Sequence, residues 1–163
     1  MRLIIALLLL LPIPGLAAAA TLTPEEAVAF LLVGIQVGKH SEIAGMGFDW
    51  QESPPGVFAG TAKREGLAVD LAISVTAASD CAYVIATHIT VETKPPYDAK
   101  QTIDFSKITE MSLTSPDTAA IAGSDFCTSQ DDGGCSAKVQ LAVPTDQATF
   151  DAVYGDFRKE TCK

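Results

Sequence analysis

Between residues 67 and 75 the chain alternates: Leu67, Val69, Leu71, Ile73 and Val75 share one side of an extended backbone, and Ala68, Asp70, Ala72 and Ser74 share the other. A period of two marks a β-strand with one face in a core. Residues 77–80, AASD, turn the chain into residues 81–92, CAYVIATHITVE, a second run rich in β-branched side chains. The pattern predicts an antiparallel hairpin from these two runs.

The pattern on either side has other periods. Thr23-Pro24-Glu25-Glu26 puts a capping hydroxyl, a proline and a glutamate at the first positions of a helix. The body that follows, AVAFLLVGIQV, is apolar on nearly every side, so this helix must be covered on more than one face, and Gly38 is its expected stop. Near the other end Thr145 can cap a helix in which Phe150, Val153, Tyr154 and Phe157 fall at i, i+3, i+4 and i+7, a stripe that docks on a sheet. Short strands fit residues 48–51 and 57–61, separated by the turn-forming SPPG. KPPYD at residues 94–98 is expected to break the sheet, since proline cannot donate to a ladder. Further strands fit residues 101–105, 108–113, 118–122 and 138–143.

These elements make an α+β domain: a largely antiparallel β-meander or partly closed barrel, with an apolar N-terminal helix and an amphipathic C-terminal helix. The order of elements resembles that of pleckstrin-homology-like domains, which implies a strongly bent meander closed by the last helix. No internal repeat or long linker divides the chain.

The first twenty residues, MRLIIALLLLLPIPGLAAAA, have one arginine, an apolar run at residues 3–11, a Pro/Gly break and consecutive alanines. This is the layout of a secretory signal peptide, and the run is well short of the roughly 20 residues that span a bilayer. The expectation is an exported, periplasmic or secreted protein that begins near Thr21, a single domain over residues 21–163, with no membrane anchor after cleavage. Without Arg2 the basic count falls from 11 to 10 against 20 acids, so the formal charge goes from −9 to −10. An acidic chain with no basic run lacks the lysines and arginines that replace counterions on a phosphate backbone, which argues against nucleic acid as a partner.

An oxidising compartment changes how the four cysteines are read. Cys127 and Cys135 flank the polar loop in DFCTSQDDGGC, between two strand candidates, and a bridge would pin the loop at its neck. Of the three possible connectivities, this favours the one that pairs Cys81, at the head of the long strand, with Cys162, after the last helix. A metal site in this loop is a weaker reading: Asp125, Asp131 and Asp132 lack calcium-loop spacing, and neither histidine lies near the cysteines in sequence. No cofactor motif is present.

Candidate chemistry is sparse. There is no G-x-S-x-G and no phosphate-binding glycine loop. His88 falls on the less apolar face of its strand, His40 follows a helix, and Glu52, Asp70, Glu92, Asp104 and Glu110 suit solvated faces. Phe48, Trp50, Pro54, Pro55 and Phe58 offer an exposed apolar rim, although Phe48 and Trp50, two apart on one strand face, suit a core better. The reading is a non-catalytic binding domain, such as an inhibitor or accessory envelope subunit, for an unknown protein, peptide or small ligand. Its contact residues would be Trp50, Pro54, Pro55, Asp131 and Asp132, on loops held by the scaffold. The alternatives are a small hydrolase with dispersed acid/base residues and a structural envelope protein without a specific ligand.

Overall fold

The computed structural model describes residues 22–43, 45–64, 66–129 and 135–162. The expected signal peptide, the expected start at Thr21, Asp131 and Asp132 lie outside these residues. The first helix, α1 (Pro24–Val33), opens on the expected capping box: the Thr23 hydroxyl accepts from the Glu26 amide (3.2 Å) and the Thr23 amide donates to the Glu26 carboxylate (2.7 Å). Residues 27–32 are all buried. The helix ends at Gly34 rather than Gly38: Gly34 takes a φ of 72°, with its amide returned to Phe30 O (2.8 Å) and the Ile35 amide to Ala29 O (3.4 Å). A Cβ at Gly34 would stand 2.5 Å from Pro144 Cδ, so any other residue would both strain the turn and collide.

Among the described residues eleven strands follow, and every pairing given for them is antiparallel. A ribbon of β1 (His40–Ile43) and β2 (Met46–Asp49) comes first. A six-stranded sheet then runs as a meander through β3 (Gln51–Glu52), β4 (Val57–Arg64), β5 (Leu67–Ser79), β6 (Ala82–Val91) and β7 (Lys94–Asp104). A 3-10 turn leads to β8 (Ile108–Ser115) and β9 (Thr118–Gly123), β10 (Cys127–Ser129) returns to the edge of β7, and β11 (Lys138–Ala142) completes a three-stranded sheet in the order β11-β9-β8. The last element is α2 (Gln147–Glu160). The architecture is an α+β meander; its sheets are separate and do not close into the barrel that the element order also allowed.

The predicted hairpin is β5 and β6, in register from Val69 opposite Val91 to Ala77 opposite Tyr83. Val69, Leu71, Ile73 and Val75 all point to the buried side. Proline does not break the sheet at residues 94–98: β7 starts there. Over residues 94–100 β7 is an edge strand, because β10 pairs only with residues 101–103, and the two prolines fall in the irregularity between the Ile89–Tyr97 and Val91–Lys94 pairs. An edge needs no ladder donor on its outer side. Asp146, not Thr145, caps α2: its carboxylate accepts from the Thr149 amide (2.9 Å) and hydroxyl (2.7 Å).

The inner face of the large sheet holds the core with the helices and the small sheet. At one end Tyr83, Phe105 and Phe157 form an aromatic triangle with ring centroids 4.8 to 6.1 Å apart, and Arg158 donates to Phe105 O (2.7 Å). Beside it Cys81 is joined to Cys162, with Cα atoms 4.6 Å apart. The second bridge joins Cys127 to Cys135, Cα atoms 5.3 Å apart. Both pairs match the expected linkage. At the other end Phe48 and Trp50 stack at 5.4 Å over Gly60, where a Cβ would meet Trp50 Cε3 at 3.2 Å and Phe48 Cβ at 3.3 Å. The Trp50 indole N–H donates to the Ser41 hydroxyl (2.6 Å), which satisfies both groups inside the core.

Two stability predictions follow from this frame. The Cys81–Cys162 bridge closes a separation of 81 residues and Cys127–Cys135 one of 8. Loop entropy gives about 4.5 and about 2.6 kcal/mol. Serine pairs at each bridge should therefore lower the unfolding free energy in that order, read by urea titration. In addition, hydrogen bonds from Ser106 to Asp104, from Ser115 and Thr118 to Asp117, and from Thr149 to Asp146 hold these three carboxyls below the usual carboxylate range. A depressed folded pKa contributes stability that is complete above the unfolded value, about 3.9, and is lost as pH falls through the lower folded values. The melting temperature should drop on acidification below about pH 4, and replacing Asp104 by Asn should flatten that drop.

Candidate functional site

Because β5 turns Val69, Leu71, Ile73 and Val75 inward, it presents Asp70, Ala72 and Ser74 on the outer face of the large sheet. The ladder fixes their neighbours. Ala72 lies between Ala59 of β4 and His88 of β6, Ser74 between Val57 and Ala86, and Asp70 between Thr61 and Thr90. On β7, Asp98 stands opposite His88 and Lys100 opposite Ala86. The centre of this face thus carries Ala59, Ala72, Ser74 and Ala86, with longer polar groups around it. Two open clefts result, of about 410 and 510 Å³, and Ala72 and His88 line both.

His88 is held from both ring nitrogens. Nδ1 is 2.7 Å from Asp98 Oδ1, and Nε2 is 3.2 Å from the Thr90 hydroxyl. An ionised carboxylate only accepts, so Nδ1 carries the proton, and in the neutral ring Nε2 then accepts from Thr90. The chain of contacts runs Asp98, His88, Thr90. Alongside it the Thr61 hydroxyl donates to Asp70 Oδ1 (2.7 Å). The other histidine repeats the first contact: His40 Nδ1 is 2.9 Å from Asp49 Oδ1 across the β1–β2 ribbon, and Asp49 lies on the rim of the larger cleft. The side chains of His88 and Asp98 are 51% and 75% exposed, and such solvated pairs contribute about 1 kcal/mol or less. Their arrangement does little for stability; it positions an imidazole at the meeting point of two clefts. β5 and β6 are each paired on both sides, so their backbone amides are used in ladders, and the polar groups offered to a ligand are side chains.

The residues expected from sequence are scattered. Trp50 is 1% exposed, packed on Phe48 and Gly60 and hydrogen-bonded to Ser41, so it belongs to the core and forms no rim. Pro54 and Pro55 are exposed in the turn between β3 and β4, where Glu52 accepts from the Gly56 amide (2.6 Å). Asp131 and Asp132 lie outside the described residues. Asp98 was read as part of a sheet breaker, which hid its pairing with His88; a spacing of ten residues across a tight hairpin is the signal that could have exposed it. Among the described residues no group of three or more His, Cys, Asp and Glu side chains could hold a metal ion, and no helix is long and apolar enough to cross a bilayer.

Alanine is a poor strand former where a side chain faces solvent, and host-protein scales put the range at about 1 kcal/mol. Ala72→Thr and Ala86→Thr should each stabilise the protein, by up to about 1 kcal/mol in urea titration, because neither residue supports the core. A loss of stability would show that the alanines are held small by packing.

No protein-family model, curated protein or solved structure matches this chain, which leaves the geometry of the cleft as the guide to its chemistry.

Proposed function

We propose that this chain is an exported binding domain that takes a small organic ligand on the outer face of its six-stranded sheet, in the clefts that meet at His88. The observation that carries this reading is the floor of small side chains, Ala59, Ala72, Ser74 and Ala86, beside an imidazole fixed by Asp98. Clefts of about 410 and 510 Å³ have the volume of small-molecule sites, which combine an apolar lining with a few placed polar groups. The ligand that suits them has an apolar body, resting on Ala72, Ala86 and Val57, and a polar head, facing His88 and Lys100. Export is supported by the leader-like first twenty residues and by two disulfides, which persist in oxidising compartments.

Methyl NMR on alanine-labelled protein tests the binding reading with a defined panel of acetyl, butyryl and benzoyl amides. The expected result is saturable perturbation of the Ala59, Ala72 and Ala86 methyls, with Ala152 on α2 unmoved, and its loss in Ala72→Arg. Perturbation spread equally to Ala152, or none at millimolar concentrations, would refute it.

A further inference from the structure

We propose that Thr90, His88 and Asp98 form a hydrolytic relay that cleaves short-chain acyl esters with good leaving groups; this rests on the reading that the outer face binds small organic ligands. The three side chains stand in the order that activates a hydroxyl nucleophile: Thr90 Oγ1 lies 3.2 Å from His88 Nε2, and His88 Nδ1 lies 2.7 Å from Asp98 Oδ1. A nucleophile within reach of a base, with that base oriented by a third group, is the arrangement shared by unrelated acyl-transfer enzymes. Here it needs no chain bending. Residues 88 and 90 are two apart on one strand and so share a face, and the ladder sets Asp98 directly opposite His88. The cleft floored by Ala72, Ser74 and Ala86 adjoins the relay through His88, which lines it, while Thr90 stands outside that lining on the other side of the imidazole.

In the first step the Thr90 oxygen attacks the ester carbonyl as its proton passes to His88 Nε2. The tetrahedral intermediate then collapses, the bond to the leaving alkoxide breaks, and the imidazolium returns the proton to it, releasing the alcohol. In the second step His88 takes a proton from water as the hydroxide adds to the acyl carbonyl. The Thr90–acyl bond breaks, the proton returns to Thr90, and a carboxylic acid leaves. No oxidant, reductant or metal enters. Asp98 is a positioning residue that holds Nδ1–H and steadies the imidazolium. Strand amides are committed to ladders, and Lys100 stands opposite Ala86, on the far side of His88 from Thr90, so the developing oxyanion has no fixed donor. Without amide donors, worth about 10²–10³ in kcat, turnover is confined to activated esters.

The test uses the disulfide-bonded exported protein with 4-nitrophenyl acetate and butyrate, followed by stopped-flow release of nitrophenolate and by peptide mapping after acid quench. The expected result is a stoichiometric burst with the acyl group on Thr90. Thr90→Val should abolish the adduct and lower kcat/KM by about 100-fold or more, Thr90→Ser should retain both, and Asp98→Asn should lower kcat about tenfold or more at unchanged KM. Circular dichroism and melting curves confirm that each variant is folded. Full activity in Thr90→Val, acylation confined to Lys100 or His88, or hydrolysis no faster than with free imidazole would overturn the relay. If inert amides still move the Ala72 and Ala86 methyls in that case, ligand binding stands and only the chemistry falls; if they do not, both readings fall.

Discussion

The fold is arranged around one helix whose charged residues, Glu25 and Glu26, are confined to its first turn. Residues 27–32 of α1 are buried in succession, where a helix lying on a surface would bury only a stripe. Enclosing such a helix takes more than one partner, and α1 meets β5 of the large sheet, β11 of the small sheet and α2. This explains why a second sheet exists. Its buried members, Met111, Ala119 and Ile121, join the same core as Val69, Leu71 and Ile73, so the two sheets need not share an edge to be held together. It also explains the stop at Gly34, where the chain must turn within contact distance of Pro144 on the approach to α2.

The same demand uses up one face of the large sheet and leaves the other free. The inner face is committed to α1, the aromatic triangle and the Phe48–Trp50 stack. The C-terminal helix is fixed onto this arrangement by three different interactions close together: the Phe105–Phe157 ring contact at 4.8 Å, the Arg158 bond to Phe105 O, and the Cys81–Cys162 bridge. Apolar burial holds α2 broadly, the hydrogen bond fixes its rotation, and the bridge limits how far its end can depart in the unfolded chain.

The elements that were legible in the sequence are those whose pattern is set by burial alone. The period-two run and the stripe from Phe150 to Phe157 each record a face turned to the core, and the structure keeps both from Val69 to Val75 and from Phe150 to Phe157, while Leu67, at the strand's start, is exposed; the capping box at Thr23 is kept as a local signal of the helix start. Of the three possible cysteine connectivities, loop position and strand order favoured the one the structure shows. Proline at 95 and 96 misled because its rule concerns donors, and whether a donor is needed depends on how much of the strand a neighbour covers. That is set by β10, more than twenty residues away, which stops at residue 101 of β7. Trp50 was ambiguous because a short strand offers no period to assign its face; the Ser41 hydroxyl that decides the matter lies on a strand, β1, that carries no apolar alternation at all. The outer cleft was illegible for a related reason. A solvated face is under no packing constraint, so its residues read as ordinary, and only the register between β5, β6 and β7 brings Ala72, His88 and Asp98 side by side.

That freedom from packing is also what makes the outer face informative. Where nothing is buried, strand propensity and cross-strand pairing should choose the residues, and both favour β-branched or aromatic side chains. The centre of β4, β5 and β6 instead carries Ala59, Ala72 and Ala86 in adjacent positions, while β5 and β6 keep valine and isoleucine on the opposite face of the same strands. The small residues therefore hold positions where strand propensity favours larger side chains. Beside them a histidine has both ring nitrogens engaged although it is half exposed, at a site where an ion pair adds little to folding. Folding alone selects neither choice, whereas the ligand site proposed above would use both, the low floor to admit an apolar body and the fixed imidazole to meet a polar head.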